Sequence, residues 1–182
     1  MRKYLSIIPL VLMLCFFVGC QDKAAMAELE EFKAQAALEE QNKSIIERYF
    51  TEGDKGKEQL LALIDELIAD DYVCHFASSE INGPEGLREH ADQATLSFSN
   101  MQHVIKENLA DGNIVTTRCV FRATHSGDFL GISGTGKQIE VLIMYVHRIE
   151  DGKIRECWIG WDSLLTLAMQ LGMELKPKEA GK

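Results

Sequence analysis

The chain has 182 residues, 46% of them apolar and 26% charged, enough for one globular domain with a substantial core. Its formal net charge of −9 repels phosphate backbones and anionic lipid alike. The balance argues against a nucleic-acid partner and against purely electrostatic adhesion to a membrane.

Arg2 and Lys3 open the chain, and the apolar run "YLSIIPLVLMLCFFV" leads to Gly19 and Cys20. A charged start, an apolar stretch and a small residue before the cut make the layout of a secretory signal. The run is short for a membrane span, which needs about 20 apolar residues. "FVGC" looks like a bacterial lipobox. That resemblance implies a lipoprotein signal peptide over residues 1–19, cleavage before Cys20, and palmitate or another lipid on its sulfur. The mature chain is then held on a membrane in the cell envelope. Gln21, not aspartate, follows the cysteine, which implies the outer membrane, facing the periplasm, in a Gram-negative cell. Cleavage removes Arg2 and Lys3 and no acid, so the mature body is more acidic still.

Residues 20–41 are rich in Ala, Glu, Gln and Lys and contain neither Gly nor Pro. They predict a helical tether that can run into the next helix. The domain proper is expected over residues 42–176, with a polar tail at 177–182. Ile45, Ile46, Tyr49 and Phe50 share a helical face that stops at Gly53. "KEQLLALIDELIADD" repeats the helical spacing, and "YVCHF" reads as a short strand. Pro84 suits a first helical turn, so a third helix is expected from 84 to about 97. The period then changes. "MQHVIKENLADGN" is a strand and turn. In "IVTTRCVFRATHSG", Val115, Thr117, Cys119, Phe121, Ala123 and His125 form the buried face. "QIEVLIMYVHRIE" is apolar on both faces, as a central strand is. Asp151-Gly152 signals a hairpin into "KIRECWIGWD", and "SLLTLAMQLGMEL" closes the chain as an amphipathic helix. Helices followed by long antiparallel strands predict an α+β domain.

Gly131, Gly136 and Lys137 of "GISGTGKQ" have the spacing of a phosphate-cradling loop. Such a loop needs a helix after it, to offer N–H groups and dipole to the anion. Here "QIEVLIMYV" follows, and Gln138 stands where a magnesium-holding hydroxyl belongs. The stretch reads as a turn between strands.

Of five cysteines, Cys15 lies in the signal and Cys20 at the anchor. Cys74, Cys119 and Cys157 sit in apolar strand-like runs and read as small buried hydrophobes. An odd number in an oxidising compartment leaves at least one unpaired. No C-x-x-C or His/Cys cluster suggests a metal.

A sheet apolar on one face and curled around helices encloses a pocket. His125 ends the buried face of its strand, and His75 ends the short strand. Ile154, Glu156, Trp158 and Asp162 share a parity if the last strand stays regular, which turns Glu156, Trp158 and Asp162 toward the same pocket. A carboxyl there loses solvation, and its pKa rises into the range useful for acid–base work. The plainer readings are that Asp162 caps the helix it precedes, that Glu156 pairs with an arginine, and that His75 and His125 are core or rim residues. His90 and His103 read as exposed, and His147 as unremarkable.

"DDYVCHF", "NGPEGLREHADQ", "RATHSGDFLGISGTGKQIEV" and "HRIEDGKIRECWIGWDSLLTLAMQLG", in that order and spacing, resemble the SnoaL-like polyketide cyclase (ester cyclase) family over residues 42 to 172. The resemblance implies the cone-shaped α+β barrel of nuclear transport factor 2: a curved antiparallel sheet, three N-terminal helices and a C-terminal helix. It also implies an aldol-type closure without metal or cofactor, driven by a pocket aspartate. Asp162 is the matching position. His125 and His75 match positions that line the cavity, and Trp158 matches its wall. An enzyme of this kind would use Asp162 and His125 for aldol-type cyclisation, isomerisation or hydrolysis of a small carbonyl compound, with Phe121 and Trp158 excluding water. The other reading is a binding module that holds a small apolar ligand or meets a partner, a second copy included, through its open sheet face.

Overall fold

The computed structural model describes residues 7–76, 79–160 and 163–172. It falls into two units, residues 1–38 and 39–182. The first is described as helix from residue 7, and the side chains of residues 23–38 are exposed. This helix is α1 (Ile7–Gly53), with Pro9 in its first turn, where a missing N–H costs nothing, and Gly19 in its interior.

In the second unit the end of α1 is followed by α2 (Lys57–Leu67), β1 (Ile68–His75), β2 (Glu80–Asn82), α3 (Gly83–Ser97), β3 (Phe98–Asp111), β4 (Ile114–His125), β5 (Gln138–Glu150), β6 (Lys153–Gly160) and α4 (Ser163–Leu171). Pro84 sits in the first turn of α3, where its missing N–H costs nothing. Asp151 and Gly152 both take positive φ, at 52° and 73°. That is the type I′ geometry that matches the twist of a two-residue hairpin.

The six strands form one curved, unclosed sheet in the order β2-β1-β6-β5-β4-β3. Its neighbours are antiparallel except β1 and β6, which run parallel. The sheet is therefore mixed and not wholly antiparallel as the sequence suggested. The exception joins the first strand to the last. No hairpin can announce such a pairing, because parallel neighbours need a long connection.

Helices and sheet meet across one core. Ile46 and Phe50 of α1 and Leu63, Ile64 and Leu67 of α2 are buried with Val115, Cys119, Val141, Ile143 and Ile154 of the strands. Each such aliphatic side chain contributes about 1.5–3 kcal/mol by leaving water. Two polar contacts fix the end of α1 against the β3–β4 turn. Asn42 Nδ2 donates to the Gly112 carbonyl at 2.9 Å, and the Gly112 N–H donates to Glu39 Oε1 at 3.0 Å. At the other end of the sheet, the Gln170 amide of α4 bonds both backbone groups of Glu140 on β5, at 3.0 and 2.8 Å.

Candidate active site

The inner face of the sheet and the helices enclose a cavity of about 470 Å³. Its walls are mostly apolar, from Phe50, Leu60, Ile64, Phe121, Val141 and Ile143. Polar groups such as His90, Gln93 and Asp128 interrupt them, and two others meet as a pair. α1 stops at Gly53, and Asp54 follows it in the turn. On β3 the register against β4 slips between Ser99 and Gln102, and Asn100 takes φ 53°. This bulge re-aims the strand, and His103 lies against the cavity.

Asp54 holds His103 at two points. Its Oδ2 accepts the His103 backbone N–H, and its Oδ1 lies 2.8 Å from Nδ1. The side chains are only 16% and 19% exposed. A carboxylate can only accept, so Nδ1 carries the proton, and in the neutral ring Nε2 offers its lone pair. The Tyr145 hydroxyl stands 3.5 Å from that Nε2. The imidazole is held between rings, with Phe50 at 4.8 Å and Phe121 at 5.0 Å between centroids. Position and tautomer are thus both fixed, as a general base requires.

Deeper in the cavity, His147 stacks on Tyr145 at 5.7 Å, and its Nδ1 has no hydrogen-bond partner. Burial pushes its pKa down to about 3, so it is neutral at physiological pH. Burial raises the Tyr49, Tyr72 and Tyr145 phenols above their ordinary value, which keeps them protonated and able to donate. Among the described residues no group of three or more His, Cys, Asp or Glu is set to hold a metal ion.

The residues expected from the sequence are divided by the fold. Phe121 lines the cavity and packs on His103. Asp162 and its neighbour Trp161 lie outside the described residues. His125 is fully buried and lies outside the cavity wall. Its Nδ1 accepts the Thr135 N–H at 3.3 Å, and its backbone bonds Gly136 and Lys137. It pins the loop 126–137, the glycine-rich turn between β4 and β5, and no helix follows that loop.

His75, Glu156 and Trp158 do come together, but on the outer face. The β5–β6 register places Arg148 opposite Glu156 and Ile149 opposite Ile154, leaving Arg155 as an extra residue. That bulge breaks the parity, so Ile154 and Cys157 turn inward while Glu156 and Trp158 do not. His75 Nε2 lies 2.9 Å from Glu156 Oε1 and its Nδ1 2.9 Å from Glu80 Oε1. Glu156, and secondarily Glu80, raise the His75 pKa. Trp158 stacks on the ring at 5.3 Å, and Arg148 bonds Glu156 at 2.9 Å, the arginine pairing weighed for Glu156.

Several cavity residues escaped the sequence reading, Asp54, Tyr145 and His90 among them. His103 is not exposed, and His147 is not incidental. The signal for His103 was its parity with Met101 and Ile105. That for His147 was its place in the buried series Ile139, Val141, Ile143, Tyr145, His147, Ile149.

The family model described as SnoaL-like polyketide cyclase matches residues 48–171. Solved structures agree in fold. A candidate SnoaL-like polyketide cyclase from Jannaschia sp. CCS1 superposes with TM-score 0.67 at 19% identity, over 75% of this chain and 96% of that one. AclR of Streptomyces galilaeus, described as a candidate hydroxylase, gives 0.66 at 22%, over 74% and 97%. IdmH of Streptomyces antibioticus, a candidate polyketide cyclase, gives 0.61 at 29%, over 72% and 99%. Among curated proteins nothing matches.

Proposed function

The chain belongs to the SnoaL-like polyketide cyclase family, and from that premise we propose that its cavity takes a small, largely apolar carbonyl compound and closes it in an aldol-type step without a cofactor. The observation that carries this reading is the Asp54–His103 pair against an apolar cavity. His103 Nε2 takes a proton from the carbon next to the carbonyl, and Asp54 stabilises the imidazolium that results. A protonated phenol, Tyr145 or Tyr49, donates to the enolate oxygen. The enolate carbon attacks a second carbonyl of the same molecule. The imidazolium returns its proton to the new alkoxide, so the step balances as an isomerisation. A ketone lacking the second carbonyl would stop at proton exchange.

Asp162, the position to which the family resemblance points, is the competing acid–base group. One assay separates the two. Exchange of the α-hydrogens of 1-tetralone in D2O, followed by NMR, reports the first step alone. The wild type is expected to exchange well above background and H103Q about 100-fold more slowly. Full exchange by H103Q with none by D162N would transfer the role to Asp162. Wild-type exchange at the buffer rate would favour a non-catalytic ligand-binding lipoprotein.

The "FVGC" stretch supports a lipid on Cys20 and an envelope location, tested by palmitate incorporation that C20A abolishes. Leu142 and Met144, exposed on β5, support a homodimer through the outer sheet face, tested by sedimentation.

A further inference from the structure

The cavity wall also carries two thiols that the acid–base reading does not use. Cys74 on β1 and Cys157 on β6 are direct register partners in the one parallel strand pair. Register partners leave a sheet on the same face, from strands about 4.8 Å apart. Both cysteines line the cavity, at 2% and 3% exposure. As same-face register partners the two thiols are adjacent, and Tyr72 lines the same wall beside them. A disulfide needs Cα atoms about 4.4–6.8 Å apart, which adjacent strands satisfy. Cys119, on β4, is fully buried outside the cavity wall.

The geometry points to a dithiol site in the cavity wall, Cys74 with Cys157, that closes to a disulfide by exchange with a small organic disulfide entering the cavity. The neighbouring Cys157 holds the Cys74 thiol below its ordinary range, while Cys74 and burial raise Cys157, so Cys74 attacks first. Its sulfur bonds one sulfur of R–S–S–R and releases the first R–SH, which carries away the Cys74 proton. The Cys157 sulfur then attacks the Cys74 sulfur of the mixed disulfide. The second R–SH leaves with the Cys157 proton. The pair loses two electrons and the entering disulfide gains them. Burial pushes Cys119 up to about 12, which leaves it unreactive and makes it an internal control. Because no step involves His103, failure of ketone exchange would leave this site standing.

The test treats the full chain in detergent with bis(2-hydroxyethyl) disulfide, unfolds it in urea, alkylates the remaining thiols and maps the peptides by mass spectrometry. The expected product is a Cys74–Cys157 cross-link with Cys119 alkylated. C157S is expected to stop at a mercaptoethanol adduct on Cys74, and C74S to react at least about tenfold more slowly at Cys157. Two outcomes would overturn the site. One is Cys74 and Cys157 still fully alkylatable when the same reagent oxidises dithiothreitol in a parallel tube. The other is linkage to Cys119 as abundant as between Cys74 and Cys157. Should a serine variant fail to fold, the wild-type cross-link map still decides.

Discussion

His103 and His75 sit on opposite faces of one sheet, and each holds a carboxylate at Nδ1, at 2.8 and 2.9 Å. The difference lies at the second nitrogen. For His75 it is taken by Glu156 at 2.9 Å, with Trp158 stacked on the ring. For His103 it has only the Tyr145 hydroxyl, at 3.5 Å, beside an apolar cavity. A base needs a lone pair that a substrate can reach. The outer histidine is paired at both nitrogens, and the inner one is oriented by its carboxylate and left open. A carboxylate beside a histidine therefore does not mark a catalytic site; the occupancy of the other nitrogen does.

The largest effect is expected from exchanging the two histidines for glutamine in turn. H103Q should lower ketone α-exchange about 100-fold while H75Q stays within about twofold, read by NMR in D2O. Equal losses would erase the distinction between the faces. Next comes D54N, which keeps the shape but lets the amide donate to Nδ1 and favours the wrong tautomer. Exchange should fall at least about tenfold with the substrate's KM little changed.

A third contrast concerns pH. Burial depresses the His147 pKa to about 3, so below the ordinary value of about 6.5 the unfolded chain binds a proton that the folded chain refuses. Stability from this group is complete above about pH 6.5 and falls as pH drops toward 3, by up to about 4 kcal/mol. Urea melts from pH 7 to 4 should show that slope, and H147F should flatten it. His75 has the opposite sign. Its raised pKa gives stability that is full below the ordinary histidine value and is lost as pH rises through the folded value. H75Q should flatten that alkaline side, and the half-exposed position makes this the smallest of the effects.

The fold was largely legible because its signals are local. The alternation of Val115, Thr117, Cys119 and Phe121 set the inner face of β4, and Asp151-Gly152 announced its hairpin. The site was less so, for three physical reasons. The bulge at Arg155 depends on how β6 pairs with β5, and one extra residue sent Glu156 and Trp158 outward. The Asp54–His103 contact joins a helix end to a strand 49 residues away, which no periodicity encodes. His125 shows a third limit. Its parity was read correctly as buried, yet it pins the loop at Thr135 and does not face the cavity.

The central claim, a His103 imidazole protonated at Nδ1 with Nε2 turned to the cavity, is tested most directly by ¹⁵N NMR of the labelled histidines at pH 8 with and without 1-tetralone. The account predicts the Nδ1–H tautomer at His103, a shift of its Nε2 signal as ketone binds, and no change at His75. An Nε2–H tautomer at His103, or a ketone response at His75 alone, would contradict it.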